Sequence, residues 1–300
     1  MNKSAAELSE SYRCCRDIAK KRAGNFYYSF AVLPRAKREA MCAVYAFMRY
    51  CDDIADDPGL RSSREGMLEK WRESLELAAR GQYGGSPILR AFHDTMLKFG
   101  IPAQYFHLLI DGAAMDLSVN RYHTFDQLYD YCYKVASAVG LVCIHIFGFD
   151  APDAKQYAEY CGIAFQLTNI LRDLKEDARM GRVYIPEDDL WAFDYSAEDL
   201  AHEVQDDRYY ALMKFEVDRA RDFYRAARPL VPLIHDSGRP GLCAMIGIYS
   251  GILDKIERNN YDVFASDISL SKTQKIAIAA KAVLKCKINE GTPYRARSRS

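Results

Sequence analysis

The chain has 300 residues, 49% of them hydrophobic and 12% aromatic, and its 41 lysines and arginines balance 41 aspartates and glutamates. That length and apolar content suit one large domain with a sizeable core and exclude wholesale disorder. Zero formal charge excludes both nucleic-acid binding by bulk charge and an acidic disordered tail.

Residues 2 to 17 are polar, so no signal peptide is expected. Ala40, Val44, Phe47 and Cys51 then fall on one face of a helix. Leu128, Cys132, Val135, Val139, Val142 and Ile146 do the same over about five turns, as do Tyr157, Cys161, Ala164, Leu167 and Leu171. The longest nearly apolar run, Ala138 to Phe149, contains His145 and is too short to cross a bilayer. Prolines 34, 58, 87, 102, 152 and 186 punctuate these segments, and Pro229, Pro232 and Pro240 cluster in one break. No stretch alternates long enough to argue for a strand. The expectation is an all-α fold of about eight to ten helices in one domain over residues 1–290, with a disordered basic tail at 291–300. The nine cysteines form no CxxC pair, which suits reduced thiols in a cytoplasmic protein rather than a disulfide or zinc framework.

Two acidic clusters carry chemistry. In Asp52-Asp53-Ile54-Ala55-Asp56-Asp57, Asp52 and Asp56 are four apart and share a helix face, a like-charge pairing that destabilises a bare helix. Either the cluster is a solvated helix end or a divalent metal compensates it. In the run from Gln166 to Asp177, Asn169, Asp173 and Asp177 are spaced by four and Gln166 precedes Asn169 by three. One polar stripe thus runs along a helix that is otherwise apolar, which is expensive without partners. Two such pairs facing each other across a cavity suit magnesium ions also held by phosphate oxygens. Arg49 and Arg172 lie beside the two pairs, where each offers a charged fork to diphosphate. No P-loop, GxGxxG or HExxH motif competes. Phe26, Phe30, Tyr45, Val135, Val139 and Phe165 lie on the same segments. Singly they read as core. As a set they suit the walls around a long hydrocarbon chain and a carbocation that water must not reach.

Together these residues resemble a known family. Phe26-Tyr27-Tyr28-Ser29-Phe30 with Leu33-Pro34, then Ala43-Val44-Tyr45-Ala46-Phe47 with Arg49 and Asp52-Asp53, are similar to the first signature of squalene and phytoene synthases. Tyr131 to Gly140 resembles their central helix. Gly162 to Asp173 with Glu176-Asp177, followed by Gly181-Arg182-Val183-Tyr184-Ile185-Pro186, resembles the second signature. The resemblance spans roughly residues 10 to 285. It implies the isoprenoid synthase fold and a magnesium-dependent head-to-head (1'-1) condensation of two prenyl diphosphates through a cyclopropylcarbinyl diphosphate. Position by position, Asp52, Asp56, Asp173 and Asp177 match metal–diphosphate ligands, with Asn169 beside them as a further metal ligand and Gln166 as a polar neighbour. Arg49 and Arg172 match diphosphate contacts, and Tyr45, Tyr131 and Tyr249 match tyrosines near the diphosphates and the second ionisation. Phe26, Val135, Val139, Gly140 and Gly162 match positions lining the prenyl cavity.

Two departures stand out. The run before Phe26 reads Arg22-Ala23-Gly24-Asn25, where the family carries His or Ser; Asn25 can replace a serine hydroxyl as a diphosphate contact, and Ala23 cannot. After Tyr261-Asp262-Val263-Phe264, where a basic residue usually follows, the run is Ala265-Ser266-Asp267-Ile268. Both acidic pairs are intact, against a catalytically inactive assembly factor, and the extended signatures argue against a terpene cyclase. For the product, the reading leans to farnesyl diphosphate and a squalene-type thirty-carbon lipid on the hopanoid side, with 15-cis-phytoene from geranylgeranyl diphosphate as the alternative. Reduction to squalene would need NADPH, which no sequence motif supports. A monomer or weak homodimer is expected. Residues 1 to 40 and 272 to 299 carry excess Lys and Arg, which reads either as solvated surface or as peripheral attachment to an anionic membrane on its cytoplasmic side.

Overall fold

The structure is a computed structural model that describes residues 3–56, 63–265 and 267–290, with the side chains of Lys3, Asp56 and residues 288–290 left aside. Asp57, Ser266 and the basic tail at 291–300 therefore lie outside the described residues, as does the side chain of Asp56.

Helix α1 (Lys3–Arg22) gives way to α2 (Gly24–Ala31) at Gly24, whose φ of 48° is open to glycine at no steric cost. Pro34 precedes α3 (Arg35–Asp56), whose face of Ala40, Val44, Phe47 and Cys51 is buried. Then come α4 (Arg64–Ala79), α5 (Leu89–Phe99), which ends on left-handed Gly100, and α6 (Gln104–Ser118), which follows Pro102. Helix α7 (Phe125–Cys132) is capped by Thr124, which accepts from the Gln127 amide. It runs through a π-helical turn, Tyr133–Ser137, into α8 (Ala138–Phe147). The long α9 (Ala154–Arg179) follows. Short connectors α10 (Glu187–Ala192) and α11 (Ala197–Ala201) lead to α12 (Asp207–Ala227), with a capping box from Ser196 and Asp199 on α11 and an Asp206 cap on α12. The four-residue α13 (Leu230–Leu233), α14 (Arg239–Arg258) with Pro240 in its first turn, and α15 (Lys272–Glu290) complete the fold. Among the described residues the helices outnumber the eight to ten expected, in part because α10, α11 and α13 are too short to display a helical period and because the π-helical turn divides one rod into α7 and α8. Among the described residues there is no strand, only two isolated bridges.

One contiguous core reaches from Cys15 to Leu270. At its centre α9 packs against α12, α8, α14 and the π-helical turn, while α3 packs against α1, α5, α6 and α8. Close approach is bought with glycine: a Cβ on Gly162 would stand 2.5 Å from the Ser137 Cα, and one on Gly140 would stand 2.8 Å from the Ala158 carbonyl oxygen. The π-helical turn inserts a residue into the α7–α8 rod and rotates its face. Leu128, Cys132, Val142 and Ile146 are therefore core, as the spacing predicts, whereas Val135 and Val139 are only partly buried and face the cavity. Residues 138–147 of the run expected to be too short for a bilayer belong to a longer helical stretch, Phe125–Phe147, which is long and apolar enough to cross one by length and composition alone. Its place between α6 and α9 accounts for its apolarity as that of a core element.

Candidate active site

A cavity of about 280 Å³ opens between α3, α6, the π-helical turn, α8, α9 and α14. Its polar residues are Asp52, Asp116, Tyr131, Gln166 and Asn169, and the rest of its wall is apolar, from Phe26, Val135 and Val139 to Phe147, Phe165 and Leu242. Gly140 and Gly162 line it at two of the points where backbones approach closely. A smaller recess lined by Phe26, Phe30, Tyr45, Val139 and Met245 shares residues with it. Tertiary packing thus gathers most sequence-predicted wall positions around one space.

The two acidic segments flank this space differently. On α3, Asp52 lines the cavity with its side chain 56% exposed. Arg49 grips Asp53 at 2.5 Å and lies 3.9 Å from Asp52, and Arg22 reaches Asp53 at 2.8 Å. The cationic fork expected for diphosphate is thus paired with the carboxylates of its own helix. Burial pushes the nearby Tyr45 phenol up to about 12, with the Arg49 charge opposing.

On α9, Asn169 and Gln166 face the cavity, while Asp173, Asp177 and Arg172 lie beyond its wall. Arg172 donates to both Asp173 oxygens at 2.6 and 2.5 Å. Burial works against the guanidinium charge, yet the Asp173 bond holds its pKa above the usual value. Behind the wall, Tyr249 stacks on Phe165 with centroids 4.5 Å apart, leans on Phe26 at 5.3 Å, and lies beside Asn169. Burial raises its phenol far above the ordinary range, so it stays neutral. Asn25 is half-buried on α2 and does not line the cavity.

Sequence reasoning missed Asp116 on α6. Its carboxylate accepts from the Tyr184 hydroxyl at 2.8 Å and from the Tyr131 hydroxyl at 3.2 Å, and its carbonyl accepts from Arg182 at 3.2 Å. Tyr122, Tyr131 and Tyr184 stack around it, with centroids 5.2 to 5.9 Å apart. Burial and the Asp116 charge drive the Tyr131 and Tyr184 phenols well up. Burial raises Asp177 to about 7, helped by Asp173 and Asp116 and opposed by Arg182. Asp116 therefore belongs electrostatically with the second acidic pair. Its only sequence signal was a carboxylate in the otherwise apolar stretch Gly112–Leu117, five residues from Asp111 and so without the spacing of four that marked the others. Lys275 of α15 was also missed. It sits over the Tyr28 ring at 5.7 Å, and burial with the Arg172 charge lowers its pKa.

The donor set fits a hard divalent cation. The Asn169 Oδ1 is buried without a hydrogen-bond partner, and an orphaned amide oxygen beside crowded carboxylates is what such an ion satisfies. Among the described residues no three His, Cys, Asp or Glu side chains cluster as a metal centre. The ligand shell would draw further oxygens from a bound diphosphate.

The sequence profile of the squalene/phytoene synthase family matches residues 19–274. The chain is 39% identical over 300 residues to the 15-cis-phytoene synthase of Synechococcus elongatus, covering 96% of this chain and 97% of that one. It is 38% identical to the phytoene synthase of Arthrospira platensis, over 95% and 96% of the two chains, and 37% identical to that of Mycobacterium tuberculosis, over 92% of each. Among solved structures, it superposes on a dehydrosqualene synthase in complex with ligand with a TM-score of 0.87, at 28% identity over 95% of this chain and 99% of that one. On squalene synthase HpnC from Alicyclobacillus acidocaldarius the TM-score is 0.79, at 28% identity over 85% and 96%. With its all-α isoprenoid synthase fold, the chain is a prenyltransferase that belongs to the squalene/phytoene synthase family.

Proposed function

We propose that this protein is a 15-cis-phytoene synthase, joining two molecules of geranylgeranyl diphosphate head to head (1'-1). The observation that carries the chain length is the 37–39% identity, over nearly the whole chain, to relatives named phytoene synthase. The sequence leans to farnesyl diphosphate and a thirty-carbon product; the relatives favour its alternative, and the thirty-carbon enzymes among the solved structures are more distant at 28% identity.

In this reading the two acidic helices hold the diphosphates at the polar end of the cavity, and the prenyl chains lie along its apolar wall. Asp52, Asp56, Asn169, Asp173 and Asp177 would hold magnesium, which when bound supplies positive charge to the departing diphosphate. Arg49 and Arg172 exchange their carboxylate partners for phosphate oxygens, to which their forks are equally suited. Tyr131, fixed by Asp116, and Tyr249, beside Asn169, contribute neutral hydroxyls near the leaving group. Phe26, Val135, Val139 and Phe165 exclude water, so that carbon–carbon bond formation outruns capture of the allylic cation. One core from Cys15 to Leu270 supports reading residues 1–290 as one catalytic domain.

The test is incubation of the purified protein with geranylgeranyl or farnesyl diphosphate, with and without magnesium and with and without NADPH, followed by mass analysis of the extracted lipid. Phytoene formed only with magnesium and regardless of NADPH is the expected result. A thirty-carbon product with geranylgeranyl diphosphate untouched would replace it with the farnesyl reading, and no consumption of either would restore the assembly-factor reading.

A further inference from the structure

Helix α15 is seated by one face and leaves the other open. Its inner face, with Ala279, Ala282 and Cys286 buried, packs on α14 and α2. The seat is close: a Cβ on Gly247 of α14 would stand 2.7 Å from the Ile278 Cγ2. The outer face carries Ile276 and Leu284, which are 56% and 61% exposed, with exposed Ala280 between them. At successive steps of four these three form one aliphatic stripe. Lysines 272, 281, 285 and 287 are exposed along the same helix, and no acidic residue occurs before Glu290. Among the described residues none of these four lysines forms an ion pair. Lys275, the fifth, is folded inward over Tyr28.

We propose that this face docks the protein onto an anionic lipid bilayer. An aliphatic stripe on a helix whose charged residues before Glu290 are all lysines matches the acyl–headgroup boundary, where Ile276 and Leu284 enter the apolar layer and the lysines remain at the phosphates. A second copy of the chain is a poor occupant, because a two-fold contact sets lysines against lysines. A nucleic-acid backbone would leave the aliphatic stripe uncovered. The advantage of docking rests on the proposed apolar product, since α2 and α14, on which α15 sits, carry the cavity residues Phe26, Leu242 and Met245. The surface itself does not depend on that reading.

The experiment is sedimentation of the full chain, without substrate, with vesicles of phosphatidylcholine alone or with one-third phosphatidylglycerol. Binding should require phosphatidylglycerol and weaken with salt. Each surface lysine is worth roughly fivefold in partitioning, so Lys281→Glu with Lys285→Glu should weaken binding by at least about twentyfold. Ile276→Ser with Leu284→Ser should also weaken it while leaving the salt dependence in place. Trp191→Ser, at an exposed site on α10, should bind as the parent does, and circular dichroism should show all variants folded. Equal binding to neutral vesicles, full binding by either double variant, or loss with Trp191→Ser would overturn the proposal. So would a dimer that the Ile276→Ser with Leu284→Ser variant abolishes, in a protein that ignores vesicles. Because no substrate is present, failure here leaves the phytoene synthase reading standing, and a protein that makes no phytoene can still bind.

Discussion

Asp116 holds two phenols, those of Tyr131 and Tyr184, at hydrogen-bonding distance while adding its charge to that of Asp173 and Asp177. A carboxylate so placed fixes the Tyr131 hydroxyl in one orientation at the cavity wall and adds to the negative field awaiting a cation. Asp116→Asn keeps the shape and removes the charge. Steady-state assay of pyrophosphate release should show turnover lower by roughly tenfold or more, and combining it with Tyr131→Phe should cost less than the sum of the two, because they share one network. Asp173→Ala removes a proposed ligand and leaves Arg172 unpaired, so turnover should fall by at least about a hundredfold. Unchanged turnover in Asp173→Ala would remove the second acidic pair from the site. Asp173 was legible because its neighbours repeat at helical spacing. Asp116 was not, because its partners Tyr131 and Tyr184 lie 15 and 68 residues away in the chain.

Helices set what the cavity can be. The apolar positions of the central rod predict a regular face, and α7 and α8 keep it at their ends. The π-helical turn between them diverts Val135 and Val139 into the cavity wall, while Gly162 lets α9 lie against that turn. The clash a Gly162→Ala methyl would make is with the Ser137 backbone, at 2.5 Å, which no side-chain rotation relieves. Overpacking of this kind costs about 1–3 kcal/mol, so the variant should melt several degrees lower and should lose turnover as the π-helical turn shifts. A melting temperature equal to the parent's would mean that α9 and the turn part without cost. Sequence spacing identified the long helices, and the prolines their breaks, but not the turn, because an extra residue in a rod is specified by packing against α6 and α9 and not by any local signal.

Stability of the assembled chain carries a pH signature away from the cavity. Glu216 on α12 is 2% exposed, and both its oxygens accept from Arg219 at 2.8 Å. Arg219 also donates to Asp189 of α10 at 2.7 Å, between the rings of Phe125 and Phe215. Two carboxylates thus share one guanidinium. Burial, with Asp189 adding to it and Arg219 opposing, raises Glu216 from 4.5 to about 8. Between those values the folded protein holds a proton that the unfolded chain has released, so the contribution is full below pH 4.5 and is lost as pH rises through about 8. The melting temperature should therefore decline from pH 5 to 8, and Glu216→Gln should flatten that decline; an identical slope in the two proteins would refute the linkage. The sequence by itself determined the helical class, the family signatures and the two acidic segments, because spacing along one helix fixes which side chains share a face. Only the tertiary structure decided which of those faces meet. The cavity, the tyrosine-held Asp116, the inward turn of Val135 and Val139 and the open face of α15 arise from contacts between residues far apart in the chain, which local periodicity does not encode.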